Sequence, residues 1–213
     1  MPDIMMSDDS NTITCNTNIV KRNTKMGKIN VLLGCMFAQK TTELLRRVRR
    51  YKSIGYKVLV VNYIGDTRYA KDCIASHDKE IEKAVCVERL ESVDHLVRSG
   101  EYDVVAIDEG QFFGDLFERV TQWADELPVH IVVVGLDGDS DRKPFGDMLR
   151  LIPHAEEVER LSAFCSICRD GSIGIYSKYF GEAPKDENGV AIGGAESYRP
   201  VCRKHYLQNL KNL

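Results

Sequence analysis

The sequence predicts an α/β fold in which helices wrap a mainly parallel sheet, followed by a small appended module. Three observations carry this expectation. Short apolar runs rich in Val and Ile recur along the middle of the chain and end in Gly or Asp, the composition of strands buried on both faces. Stretches of helical period separate them, and that alternation is the signature of parallel strands joined by crossover helices. Beyond about Ala163 the periodicity gives way to Gly, Tyr, Ser and polar residues with cysteines near both ends.

In chain order, residues 1–27 are polar, rich in Asn, Asp, Ser and Thr, and without periodicity, so a flexible leader is expected. Strands are expected at INVLLG (29–34), KVLVVNY (57–63), KAVCVERL (83–90), YDVVAIDE (102–109) and HIVVVGLDG (130–138). Helices are expected over Thr42–Ile54, whose Leu44, Leu45, Val48 and Tyr51 share one side, over Val93–Ser99 and Leu116–Glu126, and as a short helix near Gly146–Leu151. The division is then an α/β domain over 28–163, a small module over 164–207 and a tail over 208–213. Ligands of such sheets sit at the carboxyl ends of strands, so the loops after Leu33, Tyr63, Ile107 and Leu136 should converge on one crevice.

Composition narrows the function classes. A chain of 213 residues with 43% apolar content buries one sizeable core with room for an appendage. A net charge of −3 and a pI near 6.0 leave no global footprint for nucleic acid or an anionic membrane. The N-terminus lacks the charged start and apolar core of a secretory signal, and no apolar run approaches the roughly 20 residues that span a bilayer. Seven cysteines, an odd number, fit reduced thiols in a cytosol-like compartment better than a disulfide framework. A soluble, cytoplasmic protein with no nucleic-acid or membrane partner is expected.

Three motifs carry chemistry. GCMFAQKT, from Gly34 to Thr41, stands between an expected strand and helix and nearly spells the phosphate-binding loop GxxxxGK[ST]. In such a loop backbone N–H groups and a helix N-terminus face phosphates, Lys40 reaches the β/γ oxygens and the Thr41 hydroxyl ligates Mg²⁺. Gln39 replaces the penultimate glycine, whose backbone geometry a residue with a Cβ adopts at a cost of about 1–2 kcal/mol. An ordinary strand-to-helix turn with a solvated Lys40 is the alternative.

The second motif is VVAIDEGQFF, an apolar strand ending in Asp108-Glu109. Adjacent carboxylates allow two roles: Asp108 serving Mg²⁺ and Glu109 accepting a proton from a substrate hydroxyl. The third is Cys165-x-x-Cys168 with Cys202-x-x-His205, a ligand set and spacing that suit a closed, structural Cys₃His zinc site.

Together these residues resemble the thymidine kinase family of the cellular and poxviral type, from about Lys28 to Tyr206. The resemblance rests on MFAQKTTELLRRVRRY against the family's MFSGKSTELLRR, DTRY (66–69), SHD (76–78), AIDEGQFF (106–113), LDGDSDRKPFG (136–146), Cys165 and Cys168, and IGGAESYRPVCRKHY (192–206). It implies a P-loop, RecA-like sheet with a zinc-binding lasso domain. It also implies transfer of the γ-phosphate of ATP to the 5′-hydroxyl of thymidine or deoxyuridine with Mg²⁺, in a homotetramer. Glu109 matches the catalytic base, and Gly34, Cys35, Met36, Phe37, Ala38, Gln39, Lys40 and Thr41 the ATP loop. Asp66, Thr67, Arg68, Asp108 and Gln111 match further nucleotide or metal contacts. Gly189, Val190, Ala191, Ile192, Gly193 and Tyr198 match the lasso that closes over the base, and Cys165, Cys168, Cys202 and His205 the zinc ligands that anchor it.

The chain departs from the family at Gln39 and at Ser140, the position of an aromatic residue that packs on the thymine ring. Losing such a stack costs about 1–3 kcal/mol. Two losses, one on each substrate, leave open an alternative: a pseudokinase or weakened paralogue with a regulatory or structural role.

Overall fold

The computed structural model describes residues 26–65, 73–75, 81–181 and 197–208. Its centre is a six-stranded sheet, every described pair of which is parallel. The strands are β1 (Lys28–Gly34), β2 (Val58–Tyr63), β5 (Val85–Val87), β6 (Val104–Ile107), β7 (His130–Gly135) and β8 (Glu157–Leu161), in the order β5-β2-β6-β7-β1-β8. β3 (Cys73–Ala75) and β4 (Ile81–Lys83) form a separate antiparallel pair.

Side chains alternate across the central strands, so each strand feeds two cores. Ile29, Val31, Leu33, Val61, Val105, Ile107, Ile131 and Val133 face α2 (Asp94–Arg98), α3 (Leu116–Glu126) and the 3₁₀ turn Met148–His154. On the opposite face Leu32, Val60, Ala106, Val132 and Val134 pack with Leu44, Leu45 and Val48 of α1 (Lys40–Ser53). Burying each of these side chains contributes roughly 1.5–3 kcal/mol, whereas an exposed pair such as Arg46–Glu43 contributes about 0–1 kcal/mol. The two apolar faces, not the charged surface, therefore hold the strand ends in register.

The expected helix over 116–126 is observed at those bounds, and the α1 helix begins two residues earlier than expected. Other expectations need correction. The strand expected over 83–90 is confined to Val85–Val87, because Leu90 already starts a 3₁₀ turn whose first N–H groups are capped by the buried Asp115 carboxylate. β5 is an edge strand and is not buried on both faces. The short helix expected near Gly146–Leu151 is a 3₁₀ segment over Met148–His154 with Pro153 inside it. β8 was not expected at all. Its Glu157 and Glu159 read as surface residues, yet both accept from the buried Arg47 guanidinium of α1, at 3.1 and 2.7 Å.

The chain after β8 makes two short antiparallel ladders, β9 (Ala163–Phe164) with β10 (Ile173–Gly174), and β11 (Tyr176–Tyr179) with β12 (Tyr198–Val201), and then α4 (Arg203–Leu207). Among its described residues only Cys165, Gly174, Ser177, Tyr198 and Val201 are buried. So small an interior supplies little stability of its own.

Candidate active site and metal centre

β1, β6 and β7 end on the same edge of the sheet because they run parallel, with Leu33 level with Gly135 and Ile107 level with Val133. The polar residues that follow each strand therefore meet. After β1 the loop runs close under β8, where a Cβ at Gly34 would stand 2.5 Å from the Leu161 carbonyl oxygen. Phe37 (φ 65°) and Gln39 (φ 60°) are both left-handed, the backbone character of an anion-binding nest leading into the 14-residue helix α1. Gln39 thus takes up the glycine-like conformation despite its Cβ. Its side chain is exposed and accepts a 2.7 Å hydrogen bond from the Thr42 hydroxyl, along the first turn of the helix.

Lys40 donates to the Cys35 carbonyl at 2.8 Å. Burial pushes its ammonium below the ordinary lysine range, opposed by the negative charges of Glu109, Asp108 and Asp137. Asp108 is buried and pushed up to about 7 by desolvation and by the charge of Glu109, against a hydrogen bond from Thr41 and the field of Lys40. A buried carboxylate destabilised as an anion, beside a hydroxyl, is a hard-oxygen donor set that fits Mg²⁺.

Glu109 is left-handed at φ 53° and its carboxylate accepts from Gln111 Nε2 at 2.6 Å. The orientation of that amide is set at its other end: the Leu136 N–H needs an acceptor and finds Gln111 Oε1 at 2.9 Å, which leaves Nε2 for Glu109. A Cβ at Gly135 would stand 2.7 Å from Gln111 Oε1, so the end of β7 leaves room for this buried amide.

The structure brings Lys40, Thr41, Asp108, Glu109 and Gln111 together. Cys35 is buried, its thiol donating to the Gly174 carbonyl at 3.3 Å and pushed up by burial, and the Met36 N–H donates to the buried Ser177 hydroxyl at 2.9 Å. Ser140 lies buried in the loop after β7, and Tyr198 packs on Tyr179 in the β11–β12 ladder with ring centroids 5.1 Å apart. Asp66, Thr67, Arg68 and Gly189, Val190, Ala191, Ile192 and Gly193 lie outside the described residues.

Sequence reasoning missed three neighbours of this cluster. Asp137 closes the apolar run of β7 and receives Arg160 Nε at 2.8 Å; its place at a strand end was the available signal. Phe112, still 38% exposed, stacks on Tyr63 and meets Phe145 edge-on just beyond Glu109. Ser177 contacts the phosphate-type loop from 141 positions away, which no local pattern announces.

The second cluster gathers Cys165, Cys168, Cys202 and His205. His205 Nδ1 lies 3.5, 3.3 and 3.4 Å from the three sulfurs, and Cys168 and Cys202 Sγ are 3.8 Å apart. A tetrahedral zinc with bonds of about 2.3 Å to sulfur and 2.0 Å to nitrogen separates its ligands by roughly 3.8 Å (S to S) and 3.5 Å (S to N). The donor set and the spacing both fit. Backbone N–H groups overcome burial to pull Cys165 down to about 6, while burial and the neighbouring sulfurs push Cys168 up to about 11. A dication would hold all three thiols as thiolates.

A family model described as thymidine kinase matches residues 27–206. The chain is 40% identical over 184 residues to the thymidine kinase of vaccinia virus (strain Western Reserve), covering 86% of this chain and 98% of that protein. It is 41% identical over 182 residues to the thymidine kinase of rabbit fibroma virus (strain Kasza), covering 85% and 97%. Thymidine kinase a of Arabidopsis thaliana is 39% identical over 186 residues, covering 86% and 76%.

Proposed function

Since the chain belongs to the thymidine kinase family, we propose that it transfers the γ-phosphate of ATP to the 5′-hydroxyl of thymidine or deoxyuridine in dTMP salvage. One observation carries the reading: Lys40, Thr41, Asp108 and Glu109 converge at neighbouring strand ends, with Glu109 oriented by Gln111. In the reaction the 5′-oxygen bonds to the γ-phosphorus, the bond to ADP breaks, and the hydroxyl proton passes to the Glu109 carboxylate. Lys40 and the N-terminus of α1 offset charge on the phosphates. Thr41 and Asp108 would hold Mg²⁺, whose chemistry is to neutralise triphosphate charge. Asp66–Arg68 and Gly189–Gly193 complete the nucleotide and base contacts in this reading, with Phe112, Ser140 and Tyr198 toward the nucleoside.

The same reading divides the chain into a leader (1–27), a P-loop domain (28–163), a zinc-anchored lasso domain (164–207) and a tail. It also makes the protein a cytoplasmic homotetramer. The outer edge of β8, unpaired among the described strands and bearing the exposed Val158, supports self-assembly. No described helix is long and apolar enough to cross a membrane. Nothing in the described geometry favours a pseudokinase, because the Gln39 side chain extends along α1 and the loop keeps its conformation.

The test is purified protein with Mg-ATP and each of the four deoxynucleosides, with the product identified directly. Thymidine 5′-monophosphate is expected, and Glu109→Gln should lower kcat about 10²- to 10⁴-fold with the fold retained. Absence of product from all four would overturn the reading.

A further inference from the structure

The loop between β7 and Gly146 is closed on itself. Asp139 N donates to the Lys143 carbonyl at 2.9 Å and Arg142 N to the Asp139 carbonyl at 3.1 Å, while Asp139 Oδ1 accepts from the N–H groups of Asp141 and Lys143 at 2.8 Å. Gly138 and Pro144 pair across its neck. A loop braced this way moves as a body, so its position depends on what holds it from outside. At its base Asp137 receives Arg160, and Phe145 lies against Phe112 with ring centroids 5.4 Å apart. At its tip the Ser140 carbonyl accepts a 2.8 Å hydrogen bond from the Tyr206 hydroxyl, and the Arg142 guanidinium sits 4.5 Å from the centre of the Tyr206 ring.

Tyr206 is itself fixed. It follows His205 of the Cys₃His cluster in α4, and Lys178 Nζ donates to the carbonyls of both His205 and Tyr206 at 2.9 Å. A continuous connection thus runs from the metal-type cluster, through a short helix, to the loop that carries Ser140. Ser140 is buried, and its hydroxyl has no hydrogen-bond partner among the described residues.

We propose that Tyr206 is a positioning residue of the kinase reaction, setting the nucleoside side of the site by coupling the Cys₃His centre to the loop of residues 137–145. The proposal rests on the kinase reading for the assignment of that loop to the nucleoside. Its mechanical half does not. Without the hydroxyl, the Ser140 carbonyl loses its partner and the loop tip gains freedom, while the aromatic ring and its contact with Arg142 remain.

The experiment compares full-length wild type and Tyr206→Phe by zinc content, by hydrogen exchange over residues 137–145, and by steady-state kinetics on thymidine and ATP. The variant should keep its zinc, exchange faster in that loop, and show KM for thymidine raised about five- to tenfold, the loss of one net hydrogen bond. Its kcat and KM for ATP should shift less than about twofold. Chelation should speed exchange of the loop more in wild type than in the variant, because the variant has already lost the hydrogen bond to Ser140 and keeps only the ring contact with Arg142. Unchanged loop exchange and KM, loss of zinc from the variant, an effect on ATP instead of thymidine, or an equal response to chelation in both proteins would each overturn the proposal. A wild type without turnover would sink the kinase reading, while the exchange measurements would still decide the coupling.

Discussion

The two polar clusters of this protein are built in opposite ways. Around Lys40 and Glu109, the sheet supplies the geometry: deep apolar layers fix three strand ends, and the polar groups carried there are held in states they would not choose alone. Asp108 is an anion made unfavourable by burial, and Gln39 and Glu109 are left-handed without being glycine. At the Cys₃His cluster the relation is reversed. Two ladders of two and four residue pairs have almost no interior, and the ligands themselves are the crosslink. The first cluster is strained by its fold, whereas the second completes its fold.

With zinc in the Cys₃His cluster, which the donor set and spacing fit, its removal should produce the largest and most localised effect. Binding free energies of structural zinc sites are on the order of 10 kcal/mol, and a chelator or Cys168→Ser should abolish protection of residues 163–181 and 197–207 in hydrogen exchange while β1, β6 and β7 stay protected. Loss of both regions in a single transition would break the contrast.

A second effect reads the strained site through pH. Asp108 binds its proton more tightly in the folded protein than in the unfolded chain, so stability of the nucleotide-free, Mg²⁺-free protein should fall as pH rises from about 4 to about 7. Mg-ATP should then raise the melting temperature more at pH 8 than at pH 5.5. An equal shift at both values would remove Asp108 from the account.

The smallest effect sharpens the comparison at one residue. Gln39→Gly relieves a left-handed side chain worth about 1–2 kcal/mol and should raise the melting temperature by a few degrees. A fall would show that the Thr42 contact outweighs the strain.

What could be read in advance follows the same division. The helix over 116–126 was legible because Leu116, Val120, Trp123 and Ala124 repeat at helical spacing and are buried. The cysteine cluster was legible because x₂ spacing brings paired ligands to one ion. β8 was illegible because an edge strand whose charges are satisfied by Arg47 carries the letters of a surface loop. Phe112 and Ser177 owe their places to packing between distant segments, and periodicity does not encode that. Gln39 was legible as a departure, but the direction its side chain takes along α1 was not.

The sheet order also has a consequence for biosynthesis. The phosphate-type loop lies within the first 41 residues, yet the strand that presents it is flanked by β7 and β8, with Lys28 beside His130 and Asn30 beside Glu157. Contacts of such sequence separation form late. A nascent chain cannot close this loop on its neighbours until about residue 161 has left the ribosome, nor tie it to Ser177 until later still. Shortened chains that retain every letter of the motif are thus expected to lack the site it names.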